Sequence, residues 1–478
     1  MTIAFDTIPG SVLKPGVYME FNTRMAVNTL PGNEQTVLII APMLPAGSAT
    51  PLNAVNVFSD DEAAVLFGRG SLAHLMAKAA IDASAYLQLQ VIGLEEDVAG
   101  VAAAGTVALT GPATGSGTLS LWVCDTRLDV AVSTGDSADT LYHALADAVN
   151  ATQSLPVTAS VATTGQAPAT VTTLTLTARQ KGAWGNDIVL RTACSAPGVT
   201  VTLTAMTGGA TNPDIQPALD AVFAAGHHII AIPWADQTTL QTLREHLKNT
   251  GNAMEQRGAV GVAGWPGSLA TGTTLAGHSN DGRTTIGWHP GSVCLSGVIA
   301  AAYAAVIASE EDPARPLNTL ALAGLDITAP SARAGRTEQE NALHNGLTPF
   351  EIGSGDVVQI VRAVTTYTKN AAGVDDPAML DLTTIRTLDY TRKACRQRIA
   401  LRFPREKLRD RTPKKVRSEL LDVLLKLDDL DILENVEANK DKLRVERNGQ
   451  DVSRLDAAIP ADVVNGLHVF AGRIDLYL

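Results

Sequence analysis

The feature that most constrains the fold is an alternation of short apolar segments with helical segments. Residues 36–40 form a continuous apolar run, residues 71–88 place apolar side chains at a spacing near 3.6, and residues 87–94 are expected to form the next strand. Continuous apolar strands are typical of a parallel sheet that is covered on both faces, and helices usually connect such strands. The sequence therefore predicts an α/β core, with Ser71 as the N-cap of its first long helix.

The same alternation returns in the second half of the chain. We expect strands at residues 228–233, 258–263, 284–288 and 356–363. We expect helices at residues 213–225, 292–309 and 338–345, and a further helix that is capped by Asp236. Strands and helices in this order predict a covered, largely parallel sheet.

The composition changes between these two stretches. Residues 98–205 are rich in Thr, Val, Ala, Ser and Gly, with short alternating runs at 118–123 and 170–177 and one helical segment at 137–149. Closely spaced turn signals between short alternating runs are typical of a β-rich module. Because the α/β pattern stops before this segment and resumes after it, we predict an inserted β-rich domain.

Length, charge and cysteine content exclude several classes of protein. The 478 residues suggest about three domains, and 37 basic against 49 acidic residues argue against a general binder of nucleic acid or anionic membranes. The longest nearly apolar run, 298–308, is far shorter than the ~20 residues of a membrane span. The first six residues do not resemble a secretory signal. The four cysteines are widely separated, which fits a reducing compartment: Cys124, Cys194, Cys294 and Cys395.

No catalytic or cofactor motif is recognisable. The serines near residues 277–281 and 291–293 lack the arrangement of a nucleophile elbow or a Ser-His-Asp set. The glycine-rich residues 100–117 lack the Lys-Ser/Thr of a P-loop, and His227 and His228 have no third ligand at metal spacing. We therefore predict a protein that is not an enzyme and has no cofactor or metal site.

The last hundred residues carry a concentrated positive charge. A helix is expected at 384–402, and a second one after Thr412, with Thr412 as N-cap and Pro413 in the first turn. Thirteen basic and three acidic residues lie between Arg386 and Arg417. One interpretation is a solvated helix face, and the other is a surface for an acidic protein partner. Nucleic acid is a weaker candidate because stacking aromatics are few.

Both ends of the sequence resemble arms. Residues 1–30 contain short β-like pieces between Pro-Gly pairs and cannot bury much surface alone. Residues 467–478 are predicted to be an extended strand with apolar side chains on one face. This strand either belongs to its own sheet or completes the sheet of a neighbouring subunit. With an arm at both ends, a chain can be linked to two neighbours.

The order of several short motifs resembles the Mu-like group of contractile phage tail sheath proteins. The resemblance extends over nearly the whole chain. The motifs that carry it are Ile8-Pro9-Gly10, residues 15–20, 135–140, 155–159, 174–182, 185–188, 316–318, 322–324 and 337–348.

This resemblance implies a subtilisin-like α/β fold without catalytic residues. It implies a homo-oligomer of stacked six-fold rings around a tail tube protein, with baseplate and tail terminator proteins as further partners. The terminal arms would connect neighbours and the inserted domain would lie outside. Contraction would drive the tube through the host envelope for genome ejection. Such a protein belongs to the virion tail and is assembled in the host cytoplasm.

The resemblance also implies a division of the chain. The expected parts are an N-terminal arm (1–30), a sheath core (31–97 and 206–380), an outer domain (98–205), a helical tube-facing domain (381–466) and a C-terminal strand arm (467–478). The arm residues expected to contact other subunits are Ile3, Phe5, Val17, Tyr18, Val469, Phe470, Ile474, Leu476 and Leu478. The basic residues expected to face the tube are Arg392, Arg396, Arg402, Arg405, Arg409, Lys414 and Lys415.

Three alternatives remain open at this point. The first keeps the sheath role but places it in a phage-derived bacteriocin. The second is a non-contractile tail or baseplate component. The third, from another class, is a subtilisin-like α/β hydrolase.

Overall fold

A computed structural model of the chain describes residues 30–164 and 171–477, together with positions 14, 16, 17 and 19. Four predicted arm residues lie outside the described part: Ile3, Phe5, Tyr18 and Leu478. The chain divides into two compact units. The smaller unit consists of Met1–Gly32 and Tyr390–Asp462, and the larger unit consists of Asn33–Asp389 and Val463–Leu478.

Strands and helices alternate along most of the described chain. The strands are β1 Thr36–Pro42, β2 Ala54–Asn56, β3 Gln88–Leu94, β4 Ala104–Thr110, β5 Gly117–Val123, β6 Thr126–Val132, β7 Val157–Thr164, β8 Val171–Ala178, β9 Leu190–Cys194, β10 Thr200–Thr207, β11 Ile229–Ala231, β12 Val260–Trp265, β13 Thr284–Trp288, β14 Thr348–Gly353, β15 Val357–Ile360, β16 Arg444–Arg447 and β17 Leu455–Ala458. The α-helices are α1 Asp60–Phe67, α2 Leu72–Ala83, α3 Ala138–Ala151, α4 Gln216–Ala221, α5 Gln237–Gly251, α6 Leu269–Ser279, α7 Ser296–Ser309, α8 Arg336–His344, α9 Leu382–Arg402, α10 Thr412–Asp429 and α11 Val436–Asn439.

An eight-stranded sheet forms the centre of the larger unit. Its strand order is β15-β14-β13-β12-β11-β1-β3-β2. The six inner strands pair in parallel, and the two edge strands pair antiparallel to their neighbours. Strand β1 lies between β11 and β3, so that Val37 is aligned with both Ile229 and Leu89. The predicted covered and largely parallel sheet is confirmed, and β13 has the predicted bounds.

Helices bury the faces of this sheet. Residues 299–308 of α7 are buried on all sides, which is typical of a core helix, and α2 packs against α7. Both predicted N-caps of this unit are confirmed. Ser71 Oγ accepts a hydrogen bond from the His74 amide at 3.1 Å, and Asp236 Oδ1 accepts one from the Thr239 amide at 3.0 Å. None of the helices in the described residues is both long and apolar enough to cross a membrane.

Two smaller sheets occupy the segment from β4 to β10. One has the order β10-β4-β8-β7 and the other has the order β6-β5-β9, and all of their strand pairs are antiparallel. Helix α3 packs on β7 and β6 and contributes Leu141 and Leu145 to the buried core. Leu121 and Leu174 are also fully buried, and they belong to the same hydrophobic cluster as the residues of the eight-stranded sheet.

The smaller unit contains α10, α11 and a hairpin of β16 and β17. Helix α10 buries Val416, Leu420 and Leu424 on one face, as its periodicity predicts. The predicted N-cap is wrong by one residue, because the helix begins at Thr412 itself and Arg411 occupies the cap position. The Thr412 hydroxyl instead donates to the Lys407 carbonyl at 2.9 Å and stabilises the preceding loop.

Candidate functional site

The clearest Ser-His-Asp grouping lies at the end of β13, and its geometry differs from that of a catalytic triad. The Ser292 hydroxyl donates directly to the Asp326 carboxylate, and His289 Nε2 lies 2.8 Å from the Asp326 carbonyl oxygen. In a triad the imidazole lies between the hydroxyl and the carboxylate and accepts the serine proton. Here the hydroxyl bonds to the carboxylate and the imidazole contacts the backbone carbonyl of the same residue, so the imidazole does not lie between hydroxyl and carboxylate. Ser292 and His289 are also buried, and burial lowers the pKa of His289.

The second serine segment offers no better arrangement. Ser279 is buried and its hydroxyl lies 3.2 Å from Thr366 Oγ1, while His278 is exposed at the end of α6. Asp281 accepts a hydrogen bond from Thr284. Within the described ranges, His, Cys, Asp and Glu side chains form no group of three that could hold a metal ion. These positions therefore connect loops and strands of the core.

The C-terminal arm, residues 467–477 of the described chain, exposes most of its apolar side chains. Their exposed fractions range from 76% to 99%, for Leu467, Val469, Phe470, Ile474, Leu476 and Tyr477. The predicted strand is not formed here, since residues 467–477 contain no helix or strand. The physical reason is that a strand needs a partner for its backbone N–H and C=O groups, and none of the described residues pairs with this segment.

Such exposure is unusual for a subunit that acts alone. Soluble monomers rarely present a contiguous run of large apolar side chains, and such runs commonly mark interaction sites. Burying one such side chain is worth about 1.5–3 kcal/mol. In the described part of the N-terminal segment, Val17 is 85% exposed and Met19 is 87% exposed. Apolar side chains at both ends of the sequence therefore lack cover from the described residues.

The smaller unit presents an incomplete sheet. Strands β16 and β17 form a hairpin of two strands, and its register pairs Arg444 with Ala458 and Arg447 with Leu455. Two-stranded sheets are marginally stable in water and usually need further strands. Helix α10 supports the hairpin by packing on β16. The hairpin is therefore a candidate acceptor for an additional strand.

Six exposed basic residues lie near the N-terminus of α10 in the sequence. Lys415 is paired with Glu406, and we call the other five the basic cluster: Arg405, Lys407, Arg409, Arg411 and Lys414. Among the residues that the structure describes, none of the five forms an ion pair. The positive end of the α10 dipole lies at the same place, and it makes positive charge there less favourable by about 0.3–1 kcal/mol per group. The cluster is therefore suited to an acidic surface outside its own chain.

Two of the predicted tube-facing residues form ion pairs within the smaller unit. Arg402 Nε lies 3.5 Å from Glu419 and Lys415 Nζ lies 3.5 Å from Glu406. Arg392 is half-buried and Arg396 is exposed, both on α9. Of the seven predicted residues, Arg405, Arg409 and Lys414 belong to the basic cluster.

Other basic residues of this segment have structural roles that sequence reasoning missed. Arg398 is buried and pairs with Glu419 at 3.2 Å and Asp422 at 2.5 Å, thereby joining α9 to α10. Burial alone would lower the pKa of Arg398, but its hydrogen bonds to the two carboxylates outweigh burial and raise it. In the larger unit, burial lowers the pKa of Arg386 to about 10. The acids that pair with Arg398, Glu419 and Asp422, lie just beyond Arg417 on α10. Residues three apart share one face of a helix, so this spacing could have indicated from the sequence that the two acids act together.

The comparisons with known proteins agree with the sequence resemblance. Residues 208–366 match the phage tail sheath protein central domain, and residues 374–476 match the phage tail sheath C-terminal domain. The second match contains both the basic cluster and nearly all of the C-terminal arm. The fold and these matches define a structural component of phage tails.

The full-length relative makes the assignment specific. The chain is 33% identical over 500 residues to the Mu-like prophage FluMu tail sheath protein of Haemophilus influenzae, and the alignment covers 100% of both proteins. The chain therefore belongs to the phage tail sheath protein family.

Two solved structures share the mixed α/β fold. The crystal structure of a sheath tail protein from Listeria innocua has a TM-score of 0.50 at 14% identity, covering 92% of this chain and 94% of that chain. A chain in the 6-fold symmetrised cryo-electron microscopy structure of the anti-feeding prophage baseplate has a TM-score of 0.51 at 11% identity, covering 98% of this chain and 100% of that chain.

Proposed function

We propose that this protein is the subunit of a contractile tail sheath, which polymerises as stacked six-fold rings around a tail tube. Contraction of the sheath drives the tube through the host envelope for genome ejection. The observation that carries this proposal is the exposed apolar C-terminal arm in a member of the sheath family. The protein is then a virion tail component that is assembled in the host cytoplasm.

The arms are the links between subunits. A C-terminal arm that leaves one subunit pairs as a strand with the β16–β17 hairpin of a neighbour, which converts a two-stranded sheet into a larger one. Val469, Phe470, Ile474 and Leu476 lose their exposure to water in the process, and this burial is the main driving force. Val17 and the rest of the N-terminal arm link the subunit to a second neighbour.

The basic cluster faces the tail tube. The smaller unit has 20 basic and 16 acidic residues, whereas the larger unit has 17 basic and 33 acidic residues. The positive charge is therefore concentrated in the smaller unit of a chain that is negative overall. An acidic tube surface would complement Arg405, Arg409 and Lys414 and set the register of the sheath on the tube. Baseplate and tail terminator proteins contact the two ends of the assembled sheath.

The remaining segments have structural tasks in this proposal. Residues 31–97 and 206–380 form the sheath core, a non-catalytic relative of the subtilisin-like α/β fold. The contact between Ser292 and Asp326 supports a structural role for the most triad-like group. Residues 98–205 form the outer domain and residues 381–466 the tube-facing domain. The extended sheath is metastable, and a few kcal/mol per subunit is the usual scale for two alternative packings.

Assembly of the purified protein tests this proposal. We expect the overexpressed chain to form long ribbed tubes in negative-stain micrographs and to remain unlabelled by an active-site serine probe. Deleting residues 467–478 should abolish polymerisation but leave the circular dichroism spectrum of the folded core. Met254→Ser, which replaces an exposed apolar side chain outside the arms, is the matched control and should form normal tubes. Tubes of normal length from the deletion variant would contradict the proposal.

A further inference from the structure

The base of the C-terminal arm is held at one point of the larger unit. Gly466 lies so close to Pro316 that a Cβ atom at this position would come 2.5 Å from Pro316 Cγ and 2.8 Å from His468 Nε2. Distances under 3.0 Å essentially never occur for real Cβ atoms, so the approach requires a glycine. Gly466 therefore packs closely on Pro316, in the loop before α8, at the point where the C-terminal arm begins.

Among the described residues of this segment, His468 is joined to the larger unit by a hydrogen bond at Nδ1, while its buried Nε2 faces Asp381 without a hydrogen-bond partner. Its side chain is 13% exposed, and its Nδ1 accepts a hydrogen bond from Asn318 Nδ2 at 3.0 Å. The neutral imidazole then carries its proton on Nε2, which lies 3.6 Å from Asp381 Oδ1. Asp381 is fixed in turn by a bidentate pair with Arg362 at 2.9 Å and 2.8 Å.

We propose that His468 is the positioning residue of the C-terminal arm: held by Asn318 and facing the Arg362–Asp381 ion pair, it fixes the point and direction at which the arm leaves its own subunit. The inference rests on the proposed function, in which the arm joins a neighbour. The nine described residues after His468 span up to roughly 30 Å when extended. Because the arm starts from a fixed point, its apolar side chains can reach only a limited part of a neighbour's surface. The fixed starting point also lowers the entropic cost of docking the arm.

We call the contact of His468 with Asn318 the anchor of the arm. The charge state of His468 should control how firmly this anchor holds the base of the arm. Burial lowers its pKa, and the nearby Arg362 acts in the same direction while Asp381 opposes both. Protonation would place a second N–H on Nδ1, where the Asn318 amide already donates. Because the folded-state pKa lies below the ordinary value of about 6.5, the anchor is at full strength above that pH. Its contribution is lost as the pH falls through 6.5 toward the lowered value.

The test measures the critical concentration for polymerisation by sedimentation, from about pH 5 to pH 8, the range in which histidine titrates. For the full-length protein we expect this concentration to rise several-fold as the pH falls. His468→Asn keeps an acceptor near the Nδ1 position and cannot become charged, so its critical concentration should stay low and its pH response should disappear. His468→Leu removes the hydrogen bond to Asn318 and should polymerise poorly at every pH. Gly466→Ala should also polymerise poorly.

His344→Gln is the matched control, since His344 is an exposed histidine of α8, and it should keep the wild-type pH response. Circular dichroism and hydrogen exchange of residues 463–470 separate a displaced anchor from an unfolded subunit. Equal pH responses of the wild type and His468→Asn, or normal polymerisation of a folded His468→Leu, would overturn the inference. Loss of polymerisation on deletion of residues 467–478, combined with wild-type behaviour of the His468 variants, would remove this inference and leave the proposed function intact.

Discussion

The central sheet and the C-terminal arm contain the same kinds of apolar residue in opposite environments. Leu38 of β1 is fully buried, with strands on both sides and helices on both faces of the sheet, whereas Leu476 of the arm is 83% exposed. The sheet satisfies its backbone groups and buries its side chains within one chain. Among the described residues, the arm has no strand partner for its backbone groups and no cover for most of its apolar side chains. The difference indicates that the fold of the core is an intramolecular property, whereas the described residues leave the arm without packing or strand pairing.

A similar contrast exists between two groups of basic residues in the smaller unit. Arg398 is buried and its charge is compensated by Glu419 and Asp422 across the contact of α9 with α10. The basic cluster around the start of α10 has no such acids among the described residues. Removing either acid would leave the buried Arg398 charge less compensated, whereas the cluster presents a positive surface with which no acid of the described residues forms an ion pair.

The largest effects are expected from a Leu→Ala substitution made once in the central sheet and once in the C-terminal arm. In the sheet it should lower the stability of the subunit, and in the arm it should weaken assembly. Leu38→Ala should lower the free energy of unfolding by about 2–5 kcal/mol, because it removes buried methyl groups and leaves a cavity. Leu476→Ala should leave the stability of the monomer within about 0.5 kcal/mol, since the side chain is already in water, but should raise the critical concentration for assembly. Urea unfolding and sedimentation measure the two quantities. A large loss of monomer stability in Leu476→Ala would show that the arm packs on its own subunit.

Charge reversal in the basic cluster should have a smaller effect, confined to binding of the tube. Arg405, Arg409 and Lys414 changed together to Glu should weaken sheath binding to tail tubes by roughly 10-fold, because exposed ion pairs contribute about 0.2–1 kcal/mol each. The loss should be greatest at low salt, where screening is weak. Reversal of Arg336, Lys369 and Arg191, which are exposed in the larger unit, is the matched control and should leave binding unchanged. Equal binding of both variants at low and high salt would refute the tube-facing assignment.

Much of the core could be predicted from the sequence because its signals are local. The local strand signals of β1 and β13 and the N-caps Ser71 and Asp236 depend on neighbouring residues alone. The sheet order could not be predicted, since strands far apart in sequence are neighbours in it, as β1 and β11 are. Helix α2 ends at Ala83, five residues before the predicted end, because Ser84 terminates it and the chain turns toward β3.

The candidate site was less predictable, for physical reasons. The alternation of residues 467–478 predicts a strand, but a strand forms only where a partner strand exists, and sequence periodicity carries no information on that partner. The thirteen basic residues were counted without Glu419 and Asp422, so the density of positive charge gave no sign that Arg398 is buried and paired. The anchor at His468 depends on Asn318 and Asp381, which are 150 and 87 residues away in the chain.

Photo-crosslinking from position 474 tests most directly whether the arm belongs to another subunit. A photoreactive amino acid replaces Ile474, which is 99% exposed, and the variant is assembled from an equal mixture of unlabelled and ¹⁵N-labelled chains. Crosslinked peptides are then identified by mass spectrometry. We expect crosslinks that join labelled to unlabelled peptides, with the partner peptide in the β16–β17 hairpin. Crosslinks found only between peptides of the same isotopic composition would place the arm on its own subunit and contradict the proposed assembly.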